Sequence, residues 1–319
     1  MEKNRREFLK DAAALGAGAF VLGACGRSAG SVASAVANAA LARPSLDNAG
    51  IQLWTVRDRM ATDFEGTLAR IAEIGYKEVE FVGYGDKSPE AVRAILDRLG
   101  LRAPSTHVGL KPGPDLEKQL AGYQAMGHRY AAVAVPRPAG APNAWPPPPP
   151  TLDSVRHEIE VQNEVGRIAK PYGIKALVHN HTMEFTILPD GRTPHDVMLA
   201  ELDPSLVVLE LDIGWATVAG QNAQSLFAAH PGRYPLWHVK DMAALATVNT
   251  NGTDQMARMR AAKIVPVGQG EIDYGPIFAR AGTAGLEHFF VEQDTAPDSG
   301  DSVAAARVSF EALRTLLKG

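Results

Sequence analysis

The feature that most constrains this chain is a row of polar residues, each closing a short apolar run. The runs are Ile51-Gln52-Leu53-Trp54, Val79-Glu80-Phe81-Val82, Ala103 to His107, Ala131 to Val135, Ala176 to His179, Val207 to Asp212, Pro235 to His238 and Phe289 to Glu292. There are eight, and most are followed by an amphipathic stretch. A strand-plus-helix unit repeated eight times fits a (β/α)₈ barrel of the α/β class, in which the carboxyl ends of the strands form one catalytic rim. An open doubly wound sheet would carry a Gly-rich phosphate turn after its first strand; Thr55-Val56-Arg57-Asp58 stands there instead. On the barrel reading, Gln52, Glu80, His107, His179, Asp212, His238 and Glu292 all point into one mouth.

Helix signals punctuate the intervals. Asp63 caps a helix that Gly75 stops, Ser88-Pro89 opens one that ends at Gly100, and Asp115 to Met126 ends at Gly127. Asp153 to Tyr172 ends at Gly173, Thr193-Pro194 opens a short helix before Pro204, Tyr274 to Ala284 ends at Gly285, and Ser302 to Leu317 closes the chain. Two connections are long, 136–151 with its Pro146–Pro150 run and 241–264, and both follow strands. Long rim loops serve as lids or substrate walls, or are tolerated insertions.

The N-terminus reads as an address. Asn4-Arg5-Arg6-Glu7-Phe8-Leu9-Lys10 is a twin-arginine pattern, and Ala12 to Ala24 is a mildly apolar run too short to span a bilayer. Residues 1–24 are therefore expected to be a twin-arginine export signal, residues 25–48 a flexible tether, and residues 49–319 a single barrel domain. Leu22-Gly23-Ala24-Cys25 has the form of a lipoprotein processing site; Ala37-Asn38-Ala39 and Ala40-Leu41-Ala42 would serve a soluble periplasmic product. A lipid at Cys25 would be the one tie to a membrane. Cys25 is the only cysteine, so the barrel has neither a disulfide nor a thiolate metal site. The formal charge of −4 becomes −5 without residues 1–24, which hold four basic and three acidic residues. An acidic chain argues against a nucleic-acid partner.

The strand ends mix imidazoles and carboxylates, a donor set suited to divalent metals that activate oxygen substrates. A charged residue at the end of a buried strand is costly unless it is paired or bound to a metal. Glu210 alternates with Asp212 and either faces the same side or pairs with a neighbouring base. Asp294 can cap the last turn. Trp54 and Trp215 are either core or platforms for sugar faces. Gly268-Gln269-Gly270 lacks the Lys-Ser/Thr of a phosphate loop and reads as a tight rim turn.

At these residues the chain resembles the xylose isomerase-like TIM-barrel superfamily, in its sugar phosphate isomerase/epimerase branch. The matching pieces are Gln52 to Asp58, Gly75 to Glu80, His179-Asn180-His181 with Glu184-Phe185, Leu211 to Trp215, His238-Val239-Lys240-Asp241, Val267 to Asp273 and Val291 to Asp294. The resemblance implies one divalent ion, most often Mn²⁺, with Zn²⁺, Co²⁺ or Mg²⁺ as alternatives. It assigns Asp212, His238 and Glu292 to ligand positions. His179 matches the strand-five position, where sugar epimerases of this family usually carry a glutamate.

The implied activity is metal-dependent isomerisation or epimerisation of an unphosphorylated sugar or keto-polyol through an enediolate. With His179 in place of a glutamate, dehydration of a keto-sugar or keto-inositol is the alternative. Glu292 is the expected base. His107 and Lys240 would orient substrate hydroxyls, and His179, His107, His181 or Glu184 would be the second proton carrier. Trp54, Glu80, His181 and Trp215 are the expected substrate contacts. A non-catalytic sugar-binding lipoprotein is the reading from another class; an abasic-site endonuclease would need a zinc cluster and a basic groove.

If the twin-arginine reading is right, changing Arg5 and Arg6 to Lys leaves the precursor inside the cell. Export that continues through the general secretory route overturns it.

Overall fold

The computed structural model describes residues 44–135 and 148–318. The twin-arginine segment, Cys25, most of the tether and the start of the proline run lie outside them. Eight parallel strands close into a barrel in ring order: β1 (Ala49–Gln52), β2 (Glu78–Phe81), β3 (Arg102–Leu110), β4 (Tyr130–Val133), β5 (Lys175–His179), β6 (Val207–Asp212), β7 (Leu236–Val239) and β8 (His288–Val291). Closure is explicit at Gly50, which pairs with Glu78 of β2 on one side and Phe290 of β8 on the other. A side chain at Gly50 would meet the Phe290 ring at 2.5 Å, so the glycine makes room for that ring in the barrel interior.

The strand period of two decides which residues face the axis. On β6, Val207, Leu209 and Leu211 pack outward in the main core between strands and helices, while Val208 packs in a separate interior cluster. That inner cluster is Tyr130, Leu177, Val208, Leu236 and Phe290, an apolar plug across the barrel. One step further along the same strands come His179, Glu210, His238 and Glu292. The apolar layer is thus the floor of a polar chamber, and Glu210 faces the same side as Asp212 by alternation.

The outer helices are α1 (Phe64–Ile74), α2 (Pro89–Leu99), α3 (Leu116–Met126), α4 (Leu152–Ala169), α5 (Pro194–Glu201), α6 (Ala223–Ala229), α7 (Tyr274–Phe278) and α8 (Ser302–Leu316). The caps lie close to where the sequence puts them. Asp63 accepts from the Gly66 amide, Ser88 from Ala91, and α2 stops at Gly100 in the left-handed region. Helix α4 starts earlier than expected, because Thr151 and Ser154 form a reciprocal capping pair. The single helix expected over Tyr274–Ala284 is two short ones, α7 and Ala281–Ala284. Gly275, Gly282 and Thr283 are poor helix formers there. Trp54 is not in a strand: β1 ends at Gln52, and Leu53–Val56 forms a 3₁₀ turn.

His128 ties the α3–β4 corner to the barrel. It is buried, with Nδ1 2.6 Å from the Ala103 carbonyl and Nε2 2.9 Å from the Tyr84 hydroxyl. Burial pushes its imidazole down to about 4. The unfolded chain therefore takes up a proton near pH 6.5 that the folded chain refuses until about pH 4. Stability is full above pH 6.5 and falls as the pH drops through that window, by up to about 1.4 kcal/mol per pH unit from this residue. Denaturant titrations at pH 7 and pH 5 should show a smaller difference for His128→Gln than for the parent. An unchanged difference removes His128 as a source of acid lability.

Candidate metal centre

The register of the sheet assembles the site. His179 pairs with Glu210, and Asp212 with His238, across neighbouring strands. Asp212 also caps a short helix, Ile213–Val218, through the Trp215 amide at 2.7 Å, which pins its Oδ1. One donor atom each from His179, Asp212, His238 and Glu292 lies within 4.8 Å of the other three. A second group, His107, His179, Glu210 and His238, meets the same limit.

The donors fit a divalent ion. His179 Nδ1, Glu210 Oε1 and Asp212 Oδ2 are buried without a hydrogen-bond partner, although Lys240 Nζ stands 3.0 Å from Asp212 Oδ2 at ion-pair range. Polar atoms in that state are expensive unless a ligand or ion satisfies them. The mixture of two imidazoles and two carboxylates suits several first-row dications.

The charges are strongly coupled. Glu292 Oε2 is 2.7 Å from His238 Nδ1 and 2.9 Å from Lys240 Nζ. Burial alone would raise the Glu292 carboxyl, yet Lys240 and His238 hold it well below the carboxylate range. Burial pushes Asp212 up to about 6 against the pull of Lys240 and His238. His238 is opposed by burial but raised well above its ordinary value by Glu210, Glu292 and Glu80. His107 is raised in the same way, by Glu80 and Glu210. Burial, then the neighbouring His238, lowers His179, and burial with Lys240 brings His181 down to about 4.

Above these groups opens a pocket of about 380 Å³. Trp54, Val82, Trp215 and Met259 supply its apolar walls, and His107, His179, His181, Glu292 and Asp294 its polar ones. None of these is lysine or arginine. Trp54 stands 41% exposed over the mouth with the Arg57 guanidinium 4.3 Å from its ring.

Three of the expected site residues lie outside the pocket lining. Glu80 does not reach the pocket. It is fully buried, accepting from Gln52 Nε2 at 2.7 Å and from Ser105, and lying 2.7 Å from His238 Nε2. It backs His238 from beneath the pocket. Glu184 accepts the His181 amide at 2.7 Å and so braces the turn after β5, and it is absent from the pocket lining. Lys240 is buried among Asp212, Glu292 and Asp294, at 3.0, 2.9 and 2.7 Å, with its charge already taken up. Glu210 is the residue whose place the sequence left open, and its alternation with Asp212 was the signal.

A closed eight-stranded barrel with a buried imidazole–carboxylate cluster at its carboxyl rim defines a barrel enzyme with a candidate metal centre. The chain belongs to the xylose isomerase-like TIM-barrel family, whose profile matches residues 68–316. It is similar to an inosose dehydratase of Clostridium beijerinckii, 25% identical over 233 residues, 67% of this chain and 76% of that protein. A sugar phosphate isomerase/epimerase from Parabacteroides distasonis superposes with a TM-score of 0.64 at 21% identity, covering 87% of this chain and 97% of that one. The IOLI protein with a bound zinc atom superposes with a TM-score of 0.62 at 14% identity, covering 85% and 98%. These two superpositions speak to the fold.

The turn after the ribbon is held by one carboxylate. Buried Asp241 accepts the amides of Met242, Gly268, Gly270 and Ile272 at 2.9, 2.9, 2.9 and 3.2 Å. A Cβ at Gly270 would collide with that carboxylate, which is why the rim turn carries glycine. The long 241–264 connection is a two-stranded ribbon, Asp241–Ala243 with Lys263–Val265, enclosing two short helices. Arg258 in the second helix donates to the Val218 and Gly252 carbonyls, which fixes Met259 over the pocket as a wall. Asp241→Ala leaves four amides without an acceptor; at about 1–3 kcal/mol for each buried orphan, the loss should be at least ~3 kcal/mol. Chemical denaturation measures it, and a loss under ~1 kcal/mol shows that water replaces the carboxylate.

Proposed function

We propose that this enzyme removes the proton next to the carbonyl of an unphosphorylated sugar or keto-polyol. Dehydration of a cyclic keto-polyol is the outcome favoured, and epimerisation is the second reading. The observation that carries it is geometric: a carboxylate, Glu292, and an imidazole, His107, stand on separate walls of one small pocket. Glu292 on the β8 side is held ionised by Lys240 and His238. His107, three strands away round the ring, is raised above its ordinary value by Glu80 and Glu210 against the effect of burial, with Glu210 Oε2 at 2.7 Å.

Glu292 accepts the α-proton. His107 delivers a proton to the departing β-hydroxyl, which completes a dehydration, or to carbon, which gives an epimer. Trp54 and Trp215 offer aromatic faces to the ring. His179, Asp212, His238 and Glu292 would hold one divalent ion, with Mn²⁺ first and Zn²⁺, Co²⁺ or Mg²⁺ as alternatives. Polarisation of the substrate carbonyl is the chemistry such an ion supplies.

Two observations support dehydration over epimerisation: the inosose dehydratase relative and the imidazole at the strand-five position. The reading of an uncharged substrate is supported by the pocket, whose lining has no lysine or arginine to receive a phosphate dianion. We also infer an exported enzyme, periplasmic or lipid-anchored at Cys25, on the Arg5-Arg6 pattern alone.

Glu292→Gln should keep the fold and much of the bound metal, since an amide oxygen can still coordinate. It should slow exchange of the substrate α-proton with solvent deuterium by about 10²- to 10⁴-fold. Proton NMR on a keto-inositol and a ketohexose reads both exchange and product. Parent-rate exchange in the variant removes Glu292 as the base.

A further inference from the structure

The two donor groups share His179 and His238, and each shared ring turns opposite nitrogens to the two groups. His238 Nδ1 lies 2.7 Å from Glu292 Oε2 and 3.8 Å from Asp212 Oδ2, while its Nε2 lies 3.3 Å from Glu210 Oε2. His179 Nε2 lies 4.0 Å from Asp212 Oδ2, while its Nδ1 lies 3.4 Å from Glu210 Oε2. His107 Nε2 completes the inner group at 2.7 Å from Glu210 Oε2. Glu210 is 1% exposed, and its Oε1 and the His179 Nδ1 have no hydrogen-bond partner. These are unspent donors beside the inner position.

We propose that His107, His179, Glu210 and His238 form a second divalent-cation seat, on the inner face of the two shared rings, and that the two seats exclude each other. This rests on the reading that the outer quartet holds the working ion. Exclusion follows from imidazole chemistry. A neutral ring has one lone pair and one N–H, so each shared histidine serves one ion at a time. Glu80 sets the default: it stands 2.7 Å from His238 Nε2, where it accepts the N–H of the tautomer that leaves Nδ1 free for the outer seat. In the other tautomer, Nδ1–H faces Glu292 instead.

The seats differ in kind. The outer one has two carboxylates and two imidazoles. The inner one has three imidazoles and a single carboxylate, and nitrogen-rich sites prefer Zn²⁺ to Mn²⁺. The inner seat is therefore a zinc seat that switches off occupancy of the outer one.

The test uses full-length protein and three measurements: metal content, Mn²⁺ binding by electron paramagnetic resonance, and Zn²⁺ binding by calorimetry. In the parent, adding Zn²⁺ should release Mn²⁺ while the total stays near one ion per chain. His107→Ala and Glu210→Ala should weaken Zn²⁺ by roughly tenfold or more and leave Mn²⁺ binding close to the parent's. Glu292→Ala should do the reverse. Thermal melts confirm that each variant is folded; where one is not, its partner on the same seat carries the test. Two ions bound together overturns the exclusion, and Zn²⁺ and Mn²⁺ weakened alike by every variant overturns the second seat. A parent that binds neither ion fails the outer quartet itself, a different result from losing the inner one.

Discussion

Four carboxylates stand in the centre of the barrel with almost no access to water, and their repulsion is the constraint that the surrounding structure answers. Glu80, Glu210 and Asp212 are at most 1% exposed and Glu292 is 7% exposed. Uncompensated buried charge costs several kcal/mol per ion. Lys240 answers part of it by contacting Asp212 and Glu292 directly. The imidazoles of His107 and His238 answer another part, since the same carboxylates draw protons onto them. A bound dication would take over that second share and release protons as it bound, which makes metal affinity here depend on pH.

The rim is built to keep that arrangement in register. Lys240 is held at both ends, its ammonium by three carboxylates and its carbonyl by the Tyr274 hydroxyl at 2.8 Å. A side chain at Gly214 would meet the same carbonyl at 2.6 Å, so the helix after β6 can approach β7 only because glycine stands there. One residue further on, Asp241 gathers the turn that follows the ribbon. The short stretch from the end of β7 into the ribbon, His238 to Asp241, therefore supplies a donor, a buried cation and a loop anchor in turn. The chemistry and its scaffold sit on the same few residues, and a substitution in either is expected to disturb both.

Most of the fold was legible because strand alternation and helix caps are local. The eight runs, the glycine stops and the inward side of each strand can all be read without knowing the tertiary structure. What alternation does not give is depth along the barrel axis. Glu80 and His107 have the same facing, but Glu80 is level with Gln52 and Ser105 in the register of β1, β2 and β3, whereas His107 lies two residues beyond Ser105. That stagger puts Glu80 beneath the pocket and His107 in its wall. Lys240 shows a related effect: its position at a strand end implies contact with substrate, and its ammonium meets three acids, one of them Asp294 just beyond β8. Glu184 belongs to a turn, where no periodicity constrains the side chain.

The imidazole at the strand-five position gains meaning from the same register. A glutamate there would add a carboxylate to the outer group. His179 supplies a nitrogen instead, and its partner across the ladder, Glu210, carries a carboxylate on the inner face, 3.4 Å from His179 Nδ1. A carboxylate absent from β5 is thus matched by one on β6. The outer group keeps Glu292 as its one pocket-lining carboxylate, while the inner carboxylate, with Glu80, raises the His107 imidazole above its ordinary value.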